Sequence, residues 1–138
     1  GADPAAIPQW DNHDGVERMI QPVTRDRNNN SEVILMDMTD VLYIQIEDGA
    51  VVFYTDEGRF YPLVPSLSMY AKHTEAFGFH RLDRTNLVNM SKIKAFDEHR
   101  GIVYFDAKAA GPCATVAFMN IGKLRNMILS WIHRNRSQ

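Results

Sequence analysis

Between Val41 and Leu63 the chain repeats one unit: an apolar or alternating run, a tight turn carrying glycine, and a returning run. Val41 to Ile46 alternates, with Val41, Tyr43 and Gln45 on one side and Leu42, Ile44 and Ile46 on the other, the period of a pleated strand. Glu47-Asp48-Gly49 is a hairpin turn, because aspartate and glycine tolerate the left-handed backbone that two-residue turns demand. Ala50 to Thr55 is the returning strand. Asp56-Glu57-Gly58 turns the chain again into Arg59 to Leu63, where Pro62 lacks the amide a ladder needs and marks an edge or an ending. Local pairing of this kind commits the region to a β-meander.

The remaining elements read less sharply. Residues 1–18 hold two prolines, four acids and no hydrophobic period, so they read as a tail or linker, with Trp10 as its one large anchor. Asp11, His13 and Asp14 cluster there without metal-ligand spacing. Gly1 in place of Met suggests a fragment of a longer chain or a residue added in cloning. Met19 to Thr24 and Val33 to Met38 are strand candidates, joined by the polar loop Arg25 to Ser31. Ser66 is suited to cap a short helix, Leu67 to His73. Ile93 to Phe96 and Ile102 to Phe105 flank a turn ending in Gly101. A loop, Ala107 to Pro112, leads to a last strand, Ala114 to Met119. From Asn120 to Arg136 the period becomes helical, with Ile121, Leu124, Ile128, Trp131 and Ile132 on one stripe. That stripe calls for burial against the domain or against a second copy. The expected fold is mostly β: short antiparallel hairpins, one short internal helix and a C-terminal amphipathic helix, in one domain over residues 19–138. The expected core is Leu42, Ile44, Ile46, Val52, Leu87, Val88, Ile93, Ile102, Tyr104 and Val116.

The net charge of −2 hides a strong asymmetry. Residues 1–57 carry 3 Lys/Arg against 12 Asp/Glu, whereas residues 58–138 carry 12 against 5, so a basic face is available from the second half. No apolar run reaches the roughly 18 residues of a membrane span. The single cysteine permits no internal disulfide and fits a reducing cytoplasm. Cys113 has no histidine nearby and reads as a small buried hydrophobe. The five histidines are scattered, and no nucleophile elbow, phosphate loop or paired-carboxylate pattern occurs, so neither an enzyme, a metal site nor a cofactor is expected.

One cation-bearing corner stands out within Phe77 to Phe105. Arg81 and Arg84 flank Asp83; Thr85 and Asn86 follow, then the apolar pair Leu87–Val88, closed by Asn89. With Phe79, Arg81, Arg84, Val88 and Asn89 in place and Thr85 in a serine slot, the segment resembles the signature of the LytTR-type DNA-binding domain. The resemblance runs from about Met19 to Leu124. It departs at Asp83, where the family usually has histidine. It departs again at Ala117-Phe118-Met119, where Ser-Arg is common.

The resemblance implies a stack of short antiparallel sheets whose loops, rather than a recognition helix, enter double-stranded DNA. It also implies binding in pairs to direct repeats. On that basis Arg84, Asp48 and Asn120 are the base-contact candidates, Arg84 because its fork suits guanine O6 and N7 together. Arg81, Thr85, Lys92, Lys94 and Lys123 are the phosphate-contact candidates, which fix register without reading sequence. Phe118 is expected to pack under the C-terminal helix rather than to act as an inserted wedge. A second reading keeps the scaffold but makes it a protein-interaction or ligand-sensing module, motivated by Asp83, the missing arginine near Phe118 and the acidic first half. A small β-rich enzyme is a third reading, and it requires a pocket with convergent titratable groups.

Overall fold

A computed structural model describes residues 9–13, 16–28 and 32–137, with side chains from residue 18 onward. Eleven strands and two α-helices occur among them. The meander forms as its turns dictate. β4 (Val41–Glu47) pairs antiparallel with β5 (Ala50–Thr55), closing on Glu47 opposite Ala50. Asp48 and Gly49 between them both take positive φ, 49° and 77°, the backbone of a mirror-image hairpin turn. β5 then pairs with β6 (Gly58–Pro62), which Pro62 ends.

β2 (Val16–Thr24) joins β6 through Val23 and Thr24, and β3 (Ile34–Asp37) lies along the other edge of β2. On the far side of the meander, β8 (Asn86–Asn89) pairs with β4, and the short β7 (Phe79–His80) follows it. β9 (Ala95–Asp97), β10 (Ile102–Tyr104) and β11 (Cys113–Thr115) make a separate three-stranded antiparallel sheet. The mostly-β, antiparallel expectation is met.

Both faces of the central strands are buried, by different partners. α1 (Leu67–Thr74), capped by the Ser66 hydroxyl accepting from the Met69 amide, covers one face, where Tyr70 and Leu67 join Phe53, Phe60, Ile44 and Leu87. The three-stranded sheet and α2 (Phe118–Arg136) cover the other, where Leu124, Ile128 and Ile132 meet Val88, Ile93 and Val103. Asn135, buried near the end of α2, donates from its one amide nitrogen to the carbonyls of Met90 (2.8 Å) and Ile93 (2.7 Å). The α2 stripe is thus satisfied within the domain.

Several expectations need correction. Within the stretch read as a tail, Gln9–His13 form β1, antiparallel to β2, which begins at Val16 rather than Met19. The side chains of Trp10, Asp11 and His13, and all of Asp14, lie outside the described residues, as do residues 29–31 of the polar loop. Strict alternation in β4 fails because the register slips between Val41 and Tyr43. A bulge of this kind re-aims side chains, so Val41 and Ile44 face the α1 side while Leu42 and Tyr43 face the α2 side. Ile46, past the covering layers, is 38% exposed rather than core, and Ile102 and Tyr104 are half-buried. Cys113 is exposed, because on β11 only Ala114 points inward.

The last strand stops at Thr115, and α2 starts at Phe118, two residues before Asn120. Had the strand continued, Phe118 would have shared the inward phase of Ala114 and Val116. The earlier switch to helix rotates it out, to 75% exposure.

Candidate nucleic-acid interface

The corner between β7 and β8 is fixed from three directions. Asn86 is fully buried, and its side-chain oxygen accepts from the amides of Leu82 (3.3 Å) and Asp83 (3.0 Å). Its Nδ2 donates to the carbonyl of Thr115 on β11 at 2.8 Å. Arg81 reaches across the turn and donates from Nη1 to the Arg84 carbonyl at 3.0 Å. Gln45 on β4 donates from Nε2 to the Thr85 carbonyl (3.2 Å) and hydroxyl (3.1 Å), while the Ile46 amide donates to the same carbonyl at 2.9 Å. Below the turn, Leu87 and Val88 anchor it, one in each half of the core. Asn89, the closing residue of the motif, is buried and donates to the Val41 carbonyl at 2.9 Å.

Arg84 is the residue this scaffold leaves exposed. No ion pair of Arg84 occurs among the described residues, and the carboxylate of Asp83 instead accepts from the Thr115 hydroxyl at 3.3 Å. The guanidinium is therefore presented rather than neutralised by its neighbour.

Two further segments meet the corner. Through Gln45 and Ile46, the end of β4 brings the Asp48-Gly49 turn beside Thr85. Asp48 is exposed, and its carbonyl accepts from Arg27 at 3.3 Å. Behind the turn, Tyr54 donates to the Glu47 carboxylate, which also lies 3.9 Å from Arg59. Burial first, and that carboxylate second, push the Tyr54 hydroxyl above its ordinary range. On the other side the Ala117 amide donates to the Leu82 carbonyl at 3.0 Å, and Asn120 Nδ2 approaches the same carbonyl at 3.5 Å. Asn120 is half-buried, and its amide faces the corner's backbone. α2 starts with no capping side chain and no acid in its first turn, so the positive end of its dipole adds to the cationic field there. Lys123, one turn on, is exposed.

The structure thus brings Arg81, Arg84, Thr85 and Asn120 to one bonded corner, with Asp48 two residues past Ile46 and Lys123 one turn past Asn120. It does not bring Lys92 or Lys94 to them. β8 carries the chain about 10 Å from Asn86 to Asn89, and Lys92 and Lys94 follow beyond it. Lys92 lines a shallow depression with Asp40, Asp56 and Glu57, an acidic setting. Lys94 is exposed, with its amide bonded to Tyr104 of β10. Two residues that the sequence suggested only as polar neighbours turn out to hold the site: Asn86 and Gln45. Their sole signal was a polar side chain inside otherwise apolar strands, which calls for a buried partner.

Among the described residues no three His, Cys, Asp or Glu side chains converge as for a metal ion, and no helix is long and apolar enough to cross a membrane.

Comparison with known proteins agrees with this fold. The fold is similar to the solved LytTr DNA-binding domain of a Bacillus cereus protein described as a methyl-accepting/DNA response regulator, with a TM-score of 0.62 at 18% identity. That likeness covers 80% of this chain and 95% of the other. No curated protein sequence matches the chain. The family model of the LytTr DNA-binding domain matches residues 31–127, which span the meander, the corner, the small sheet and the first half of α2. The chain belongs to the LytTr DNA-binding domain family, a family of DNA-binding domains and not of enzymes.

Proposed function

We propose that this chain is the DNA-reading domain of a cytoplasmic transcription regulator of the response-regulator kind, binding double-stranded DNA at specific sequences. The observation that carries the reading is Arg84: exposed, in no ion pair among the described residues, and held on a turn whose backbone is fixed by Asn86, Arg81 and Gln45. The fixed backbone sets where the Arg84 side chain starts, and the planar fork of a guanidinium matches guanine O6 and N7 together, which is what direct readout in the major groove demands.

Around it, Arg81, the Thr85 hydroxyl and Lys123 are placed to meet phosphates, and Asp48 and Asn120 flank the base edges. Lys92 and Lys94 add only to the general field. A second copy on an adjacent direct repeat would enlarge an interface that is small for one domain.

Selection of bound fragments from random-sequence DNA, followed by gel shifts of the winners, tests this. A recovered consensus containing a guanine whose loss weakens binding supports the reading. The alternative, a protein-interaction or ligand-sensing module on the same scaffold, is favoured by Asp83 and by the uncovered Phe118 and Met119. It calls for a chain that enriches no sequence and shifts no duplex even at about 50 mM salt, where phosphate contacts are strongest.

A further inference from the structure

Met119 and Phe118, 90% and 75% exposed, are the two most exposed large apolar side chains among the described residues. They sit at the first two positions of α2, and the segment that carries them is tied to the cationic corner. Ala117, one residue before Phe118, donates its amide to the Leu82 carbonyl at 3.0 Å, and Asn120, one residue after Met119, points its amide at the same oxygen at 3.5 Å. Thr115 completes the tie by accepting from Asn86 at 2.8 Å and donating to Asp83 at 3.3 Å. Neither side chain can turn back into the core, because the buried stripe of α2 runs through Leu124, Ile128 and Ile132. Gly122, four residues after Phe118, supplies no side chain to cover the ring, although a Cβ there would meet nothing within 4 Å. Met119 shares its helix face with Lys123, four residues on. An uncovered aromatic and thioether pair is therefore mounted on a segment bonded to the corner that carries Arg81, Asp83 and Arg84.

We infer that Phe118 and Met119 form an apolar reading surface for thymine 5-methyl groups, in the groove that receives Arg84. This rests on the DNA-reading function proposed above. Charge selects the partner: the corner to which the pair is tied carries Arg81 and Arg84 against the single carboxylate of Asp83, and Lys123 follows one turn along α2, a net positive setting complementary to a phosphate backbone. Groove chemistry selects the contact. The guanine acceptors suited to Arg84 and the thymine methyl both lie in the major groove, which is about 12 Å wide and admits a helix end. The domain would then combine a polar readout at the corner with an apolar readout at the start of α2.

The test uses duplexes recovered by random-sequence selection, with each thymine replaced in turn by deoxyuridine, which removes only the methyl. The unaltered chain should lose about fourfold in affinity at one or two positions near the guanine read by Arg84, the worth of one buried methyl group. Phe118→Ala or Met119→Ala should abolish that loss while keeping the guanine preference. Since both side chains are exposed, thermal melting should stay unchanged. Identical deoxyuridine scans for the unaltered chain and both variants overturn the inference and leave DNA reading intact. A flat scan in which Phe118→Ala instead reduces duplex bending, read by end-to-end energy transfer, also overturns it, in favour of a wedge between base steps. If the unaltered chain binds no duplex at low salt, the DNA-reading function itself fails and the inference falls with it.

Discussion

At the scale of single residues, the corner separates groups that present chemistry from groups that hold them. Arg84→Ala should lose roughly 1–3 kcal/mol at the preferred site and flatten preference at one position, with little change on unrelated duplexes. Lys123→Ala should weaken all sequences alike and lower the salt slope by about one. Lys92→Ala should have a much smaller effect on both, since Lys92 lines a depression with Asp40, Asp56 and Glu57 at the far end of β4. Gel shifts on one specific and one scrambled duplex distinguish the three. If Arg84→Ala and Lys123→Ala behave alike, Arg84 is another cation and not a reader. The holding residues were the hard part to read. Arg84 and Arg81 were visible as cations beside an apolar anchor, whereas Asn86 looks like any turn asparagine until Leu82, Asp83 and Thr115 close around it. Asn86→Ala leaves the buried Leu82 amide without this partner, at about 1–3 kcal/mol, and removes the part-buried bonds to the Asp83 amide and the Thr115 carbonyl as well. Chemical denaturation should therefore show a loss far larger than a surface substitution gives.

At the scale of elements, legibility followed local turn chemistry. The β4–β5 and β5–β6 hairpins were readable because Asp48-Gly49 and Gly58 carry their backbone requirement in the sequence, and the Ser66 cap did the same for α1. The start of α2 was not, because Ala117 at the cap position has no side chain to accept an amide and so gives no signal. The β4 bulge was equally silent, arising from packing on two faces rather than from any residue type. Those two faces predict the cost of cutting the anchor. Leu87→Ala and Val88→Ala should each destabilise by roughly 2–4 kcal/mol, one by opening the α1 layer and the other the α2 layer. Ending the chain after Asn120 removes Leu124, Ile128, Ile132 and the Asn135 bonds together, so its thermal transition should broaden or vanish. A sharp, unshifted transition would mean that α2 is an accessory.

At the scale of the whole molecule, what matters is where the opposed charges of the two halves come to rest. Asp40 precedes β4, and Asp56 and Glu57 form the β5–β6 turn beside its start, so these three acids gather at that end with Lys92, while Glu47 and Asp48 lie at the other. The corner with Arg81 and Arg84 lies at the other end, reached through Gln45 opposite Asn86. Other cations are tied up elsewhere: Arg125 reaches both Glu98 oxygens at 3.0 Å, and Arg134 lies 4.4 Å over the Trp131 ring. The basic half of the sequence therefore delivers to the corner only a few free cations, chiefly Arg81, Arg84 and Lys123. That small number has a measurable consequence. With the cation Arg84 in the groove, Arg81 and Lys123 on phosphates, and Thr85 adding a neutral hydroxyl that releases no counterion, about two to three counterions are released, so log affinity should fall with log salt at a slope of about −2 to −3. Between 50 and 200 mM salt this is a loss of about 16- to 60-fold, well short of the 10³-fold or more expected of a chain making six or more phosphate contacts. Substituting Asp83 by asparagine removes a negative charge while leaving an oxygen for the Thr115 hydroxyl, so it should tighten binding to every duplex without altering preference. A slope near zero in titrations of the unaltered chain would remove the phosphate contacts from the picture, and with them the reason for the cationic corner.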